Sequence, residues 1–126
     1  MNMQKSLGQF ILSKRKIKKI SSRQLAIKCD VSAAYMNDIE KDKRVPTFDV
    51  LKRIGLNLDL NDENMYELLD LAAKNSNNKV PYDITDYIMK NDSLRKCIRK
   101  KIKENDYSGW EKIFDNEEES IANEEI

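Results

Sequence analysis

Any chemistry in this chain of 126 residues has to be done without histidine, because it contains none. That excludes imidazole acid–base work, imidazole metal ligation and every Ser-His or Cys-His dyad. The two cysteines, Cys29 and Cys97, cannot build a four-ligand zinc site alone, and their spacing fits no metal motif. Each falls on an apolar helix face, so each is expected as a buried free thiol rather than half of a disulfide. Asp and Glu are plentiful, but they sit on solvated faces with no Gly-rich phosphate loop or ligand cluster beside them. These residues imply neither an enzyme nor a cofactor, and what is left is cations. Lys14, Arg15, Lys16, Lys18 and Lys19 form one run, Lys43 and Arg44 a pair, and residues 95–103 a third group. Residues 1–58 hold 13 Lys/Arg against 5 Asp/Glu, a charge of +8, while residues 59–126 hold 10 against 17, a charge of −7. The net +1 therefore hides a basic half suited to holding an anionic ligand non-covalently.

The elements that must position these cations read as helices throughout. Three Gly and two Pro argue against a turn-dense β-sandwich or barrel, and the abundance of Lys, Glu and Ile favours helix. No apolar run reaches the length of a membrane span, and the N-terminus lacks the apolar centre of a signal peptide, so a cytoplasmic protein with no membrane partner is expected. Leu7, Phe10, Ile11 and Ile17 predict a first helix over 4–18 with an opposite basic face. Ser21 and Gln24 make a capping box for a second helix from Ser22 to Cys29, burying Leu25, Ala26 and Cys29. Asp30 and Val31 form a turn, and Ser32 caps a third helix, Ala33 to Lys41, with Tyr35, Met36 and Ile39 inward. Thr47 caps a fourth helix reaching Asn57, which buries Phe48, Val50, Leu51 and Ile54. Asn61 caps a fifth from Asp62 to Asn75, with Met65, Leu68, Leu69 and Ala72 on one face.

Two short helices joined through Asp30-Val31-Ser32 have the sequence form of a helix-turn-helix. With Leu25-Ala26, Val31-Ser32, Tyr35, Ile39-Glu40, Lys43-Arg44, Pro46, Leu51 and Ile54 in order, the stretch 7–60 resembles the Xre/Cro-type, phage-repressor-like family of DNA-binding domains. The resemblance implies a five-helix all-α domain over 1–76. It implies phosphate contacts from Ser22 and Arg23 at the start of the second helix, and from Lys43 and Arg44 in the loop after the third. Base contacts are implied at Ala33, Ala34, Asn37 and Asp38. Two alanines can meet only a thymine methyl; Asn37 could pair with adenine. Asp38 could accept from a cytosine amine or pair instead with Arg44 or Lys41. With direct readout this thin, DNA shape is expected to supply part of the specificity. Arg15 and Glu40 match a structural ion pair of the family. Asp42 stands where the family usually has Gly, and a left-handed residue there costs Asp about 1 kcal/mol more than Gly.

A polar break, Asn75-Ser76-Asn77-Asn78, separates this domain from an extension over 77–126. The extension reads as about three short helices. One covers 83–90 with Ile84, Tyr87 and Ile88; one covers 93–104 with Leu94, Cys97, Ile98 and Ile102 inside a basic surround. A capping box at Ser108–Glu111 opens the last, with Trp110, Ile113 and Phe114, before an acidic tail. Tyr35, Tyr87 and Trp110 are expected in core positions. So many large apolar residues cannot bury one another within a unit this small, so residues 80–114 are expected to help form a homodimer. The expectation from the sequence is a dimeric, double-stranded-DNA-binding transcriptional repressor acting on an inverted repeat. The alternative is a protein-binding adaptor on the same scaffold, an antitoxin or a phage-borne inhibitor, gripping a partner through 80–126.

Overall fold

A computed structural model describes residues 5–77 and 79–109. All regular structure among them is helical: α1 (Leu7–Ile17), α2 (Ser22–Lys28), α3 (Ala33–Glu40), α4 (Phe48–Asn57), α5 (Asp62–Asn75), α6 (Tyr82–Lys90) and α7 (Asp92–Lys103). The expected third helix of the extension, with Trp110, Ile113 and Phe114, and the acidic tail lie outside the described residues.

The starts of the helices are written in short polar side chains. Ser6, Ser21, Ser32, Thr47, Asn61 and Asn91 each accept a hydrogen bond from the N–H three residues on. Each therefore satisfies one of the donors a helix leaves open at its first turn. Ser6 and Ser21 close full capping boxes with Gln9 and Gln24. The Ser6 box places the start of α1 at Leu7, later than the expected residue 4.

The ends follow an equally regular rule without using glycine. Lys19, Asp30, Asp42, Asp59, Asn77 and Asn105 each follow a helix cap and take φ between 52 and 64°. After α1, α2, α3, α4 and α7 the next N–H reaches back to a carbonyl five residues earlier, as Ile20 does to Arg15 and Val31 to Ala26. This is the Schellman arrangement, and it turns the chain sharply enough to drop an apolar residue onto the core. Ile20, Val31 and Leu60 take those places. Ile17, expected inward, is instead 69% exposed. It is the last residue of α1, already past the edge of the core, and Ile20 fills the position after the turn.

The chain groups into two compact units, Met1–Asp86 and Tyr87–Ile126. In the first, α1–α5 enclose a core of Leu7, Phe10, Ile11, Leu25, Ala26, Cys29, Met36, Ile39, Leu51, Ile54, Leu58, Leu68, Leu69 and Ala72. Burying each large aliphatic side chain of this set contributes about 1.5–3 kcal/mol. One glycine is required by the packing: a Cβ on Gly8 would stand 2.0 Å from the Glu40 carbonyl oxygen, so α1 crosses the end of α3 in backbone contact. The first unit extends past residue 77 because the Tyr82 ring stacks on Phe48 of α4, centroids 5.5 Å apart. In the second unit Arg95 of α7 donates to the Ile88 and Met89 carbonyls, joining α7 to the end of α6. No residue of α6 or α7 is buried. Tyr87 is 65% exposed and Cys97 is exposed, which corrects the expectation of core positions for both.

Candidate nucleic-acid interface

The surface of interest is built on α2, the turn after it, α3 and the loop to α4. The turn is fixed by Asp30 in the left-handed region and by the Val31 N–H to Ala26 carbonyl bond. Leu25, Ala26 and Cys29 on one side and Met36 and Ile39 on the other lock α2 and α3 into a single packed pair. Helix α4 braces the turn from behind. Arg53 Nη1 donates to the Cys29 carbonyl at 3.2 Å, and Asn57 Nδ2 to the Lys28 carbonyl at 3.3 Å. Burial pushes the Cys29 thiol above its ordinary pKa, against smaller opposing effects of Asn57 and Arg53. It therefore stays an apolar filler of this junction.

With Tyr35, Met36 and Ile39 turned to the core, α3 presents Ala33, Ala34, Asn37 and Asp38 on its outer side. Ala33, Ala34 and Asn37 are exposed; Asp38 is half-buried. Among the described residues no ion pair engages the Asp38 carboxylate. Lys43 and Arg44 follow in the loop, both exposed, and the Arg44 guanidinium lies over the Tyr35 ring, 5.3 Å from its centroid. A guanidinium stacked in this way keeps its charge outward while losing little freedom on binding. At the start of α2, Arg23 is exposed and Ser22 half-buried. At seven residues α2 has a small dipole, so attraction for an anion there comes mainly from the Arg23 charge.

Two polar contacts hold this frame to α1. Arg15 Nε donates to Glu40 Oε1 at 2.8 Å, and Arg15 Nη1 to the Ile20 carbonyl at 3.0 Å. Their side chains are only 15% and 9% exposed, which puts the pair in a weakly screened place. The second contact was not legible from the sequence. Asp42 has φ 59°, and its Oδ1 accepts from the Gly8 N–H at 2.8 Å and from Asn75 Nδ2 at 3.0 Å. One carboxylate thus caps the first turn of α1, ties the end of α5 and anchors the residue before Lys43. The only signal in the sequence was an Asp at a place where a left-handed residue is needed. Asp and Asn tolerate that conformation, and Asp adds an acceptor that Gly lacks.

The result is a packed, basic-rimmed ridge: α3 projects in the middle, Arg23 lies before it, and Lys43 with Arg44 after it. This geometry meets the two needs of duplex recognition, cations for phosphates and a helix for a groove. Among the described residues no three metal-ligating side chains cluster. None of the described helices is long and apolar enough to cross a membrane.

The class that fold and surface define is the helix-turn-helix regulators. Comparison with known proteins points to the same class. The chain is 39% identical over 59 residues to an uncharacterized HTH-type transcriptional regulator of Mycobacterium tuberculosis, present in two strains. The match covers 47% of this chain and 42% of that protein, so the chain spans less than half the length of these relatives. It is 38% identical over 66 residues to the ImmF control region 10 kDa protein of Bacillus phage phi105, covering 51% of this chain and 73% of the phage protein. The chain belongs to the family of that phage protein. No known family's model and no solved structure matches it.

Proposed function

We propose that the protein is an Xre/Cro-type transcriptional repressor that binds double-stranded DNA sequence-specifically, as a homodimer on an inverted repeat. The observation that carries this reading is the outward face of α3 between Arg23 and the Lys43–Arg44 loop. Asn37 is the side chain suited to pairing with a base edge, and Asp38 to accepting from a cytosine amine. Ala33 and Ala34 let the helix approach a groove closely and meet thymine methyls. One such helix reads too few bases for tight binding, so two copies place their α3 helices in successive major grooves about 34 Å apart. The extension from residue 77 supplies contacts for that pairing. A repressor of this kind works in the cytoplasm, uses no cofactor and carries no catalytic residue.

The test is to purify the full chain, recover the DNA it carries and sequence it. An inverted repeat enriched over background supports the reading; random fragments or none overturn it. With the recovered site in hand, Arg44→Ala should weaken binding to every duplex and shallow the salt dependence by about one phosphate contact. Asn37→Ala should relax discrimination at one base pair by about 1–3 kcal/mol while keeping the salt slope. A second reading, a protein-binding adaptor such as an antitoxin or phage-borne inhibitor, is favoured by one observation. The first two outward positions of α3, Ala33 and Ala34, offer no hydrogen bond. An unchanged DNA affinity in Arg44→Ala across a salt titration would turn the assignment toward it.

A further inference from the structure

The turn that follows α5 borders a small, mainly apolar cavity within the first unit. Its volume is about 420 Å³, and Ala73, Ser76, Lys79, Val80, Tyr82 and Thr85 line it. That size lies in the range of sites for small organic molecules. Its walls are anchored. The Lys79 N–H donates to the Ala73 carbonyl at 3.2 Å, which closes the turn, and Tyr82 is held against α4 by its stack on Phe48. Val80 is 56% exposed, so this apolar wall is left uncovered.

Three observations set the chemistry of an occupant. The first is an aromatic ring. Phe48 covers one side of Tyr82 and takes no part in lining the cavity, so other surface of the Tyr82 ring faces it. A planar ring placed there extends the stack in the offset geometry that aromatic pairs prefer. The second is which polar groups are uncommitted. Ser76 Oγ donates to the Ala72 carbonyl at 3.1 Å, and Thr85 Oγ1 to the Val80 carbonyl at 3.3 Å, so both hydroxyl protons are spent. The Lys79 ammonium remains. Among the described residues no ion pair engages it, although Asp70 borders a smaller groove that Lys79 also lines. An ammonium at the edge of an apolar cavity fits an anionic group whose charge stays partly in water. The third is position. Ser76 follows Asn75, whose side chain donates to the carboxylate of Asp42, the residue before Lys43.

We infer that this cavity is a binding site for a small aromatic carboxylate. The ring lies against Tyr82 and Val80 over Ala73, and the carboxylate meets the Lys79 ammonium at the mouth. The occupant touches the end of α5, so its presence reaches Asp42 through Asn75 and bears on the loop of Lys43 and Arg44. The site itself stands apart from the DNA reading; only the consequence of moving that loop rests on it.

The probe is 1-naphthoate, titrated into the full-length protein and followed through the backbone amide resonances. The amides of Ser76, Lys79 and Thr85 should shift with one dissociation constant below about 1 mM, and those of Asp42, Lys43 and Arg44 should follow it. The uncharged naphthamide should bind about threefold more weakly, as expected for an ion pair open to solvent. Lys79→Gln should lower the affinity for naphthoate by the same factor and leave that for naphthamide unchanged. Thr85→Trp fills the cavity from an exposed position on α6, so the circular dichroism is kept while binding is lost. Four results would overturn the inference. Absence of shifts at about 10 mM probe leaves no site. Shifts centred on the apolar face of α7, or unchanged in Thr85→Trp, mean that the ring sits elsewhere. Equal affinity for naphthoate and naphthamide removes the anion from the assignment. Local shifts that stop at Ser76 break the link to the loop after α3. All of these readouts are taken without DNA, so a failure of the DNA reading leaves them untouched.

Discussion

Helices α5 and α7 are alike in sequence logic and opposite in outcome. Each starts at an Asn whose side chain accepts from the N–H three residues on, has Asp in its first turn and Lys in its last, and segregates apolar from charged residues. Yet α5 buries Leu68, Leu69, Leu71, Ala72 and Ala73, while α7 buries no residue. Caps and periodicity specify that a segment is helical and which face is apolar. They do not specify what lies across from that face, because burial needs other elements arriving at the right distance. For α5 those elements are α1 and α4 of the same unit. The described residues hold α7 by local polar contacts instead, through Arg95, Lys96 and Lys101.

The cysteines break or sharpen this contrast with the largest signal. Cys29 lies in the first unit's core with its pKa raised by burial, and Cys97 lies exposed on α7. Under native conditions a thiol reagent should modify Cys97 promptly, because its side chain is exposed. Cys29 should be protected by about a thousandfold or more, because it reacts only through opening of the core. Mass spectrometry after timed alkylation reads both. Equal rates would mean that the first unit is no better packed than the second.

Next in size is the clamp between α1 and α3. Glu40→Gln keeps the shape of the side chain but leaves the Arg15 charge without its partner in a weakly screened place. The loss should be about 3 kcal/mol, read as a lowered urea midpoint with an unchanged slope. An unchanged midpoint would show that water compensates Arg15 fully. Gly8→Ala probes the same crossing sterically. Its methyl would meet the Glu40 carbonyl oxygen, so the two backbones must separate, at a cost of roughly 1–3 kcal/mol.

How far the sequence could be read follows from the same physics. Ser21 with Gln24, and Ser32, Thr47 and Asn61, marked four helix starts because capping is local and its chemistry is confined to a few residue types. The inward faces of α2, α3 and α5 were legible because both sides of each stripe agree. Ile17 was misread because a stripe carries no mark of where the core ends. Tyr87 and Cys97 were misread because an apolar position implies burial only if something covers it. On the α3 surface the exposed residues could be placed by helical spacing. The anchoring of its loop could not, since Asp42 meets Gly8 and Asn75, 34 and 33 residues away in the chain.

Positions in the left-handed region offer a finer test. Lys19 has φ 58° with no side-chain partner among the described residues, so Lys19→Gly should stabilise by about 1 kcal/mol. At Asp42 the same replacement relieves the same strain, but it removes the acceptor of two hydrogen bonds, one from the first turn of α1. Bonds to a charged group contribute about 1.5–3 kcal/mol, so Asp42→Gly should destabilise on balance. Thermal unfolding of the two variants should move in opposite directions; a rise in both would reduce the Asp42 contacts to surface decoration.

The smallest expected effect lies at the junction of α1 and α4. The carboxylate of Asp59 meets the Lys18 ammonium, and that hydrogen bond, with the Lys18 charge, holds the Asp59 pKa below its ordinary value. A depressed carboxylate pKa adds stability above the unfolded-state value of about 3.9, and the contribution is lost as pH falls through the folded-state value. Asp59→Asn keeps a residue at ease with the φ of 53° while removing the charge. The variant should therefore unfold at slightly lower urea than the parent at neutral pH, because an exposed pair contributes little. The two midpoints should converge as pH falls below the usual carboxylate range. High salt at neutral pH should also close the gap, since the pair is open to solvent. A difference that persists in acid would place the effect of Asp59 in the turn rather than in its charge.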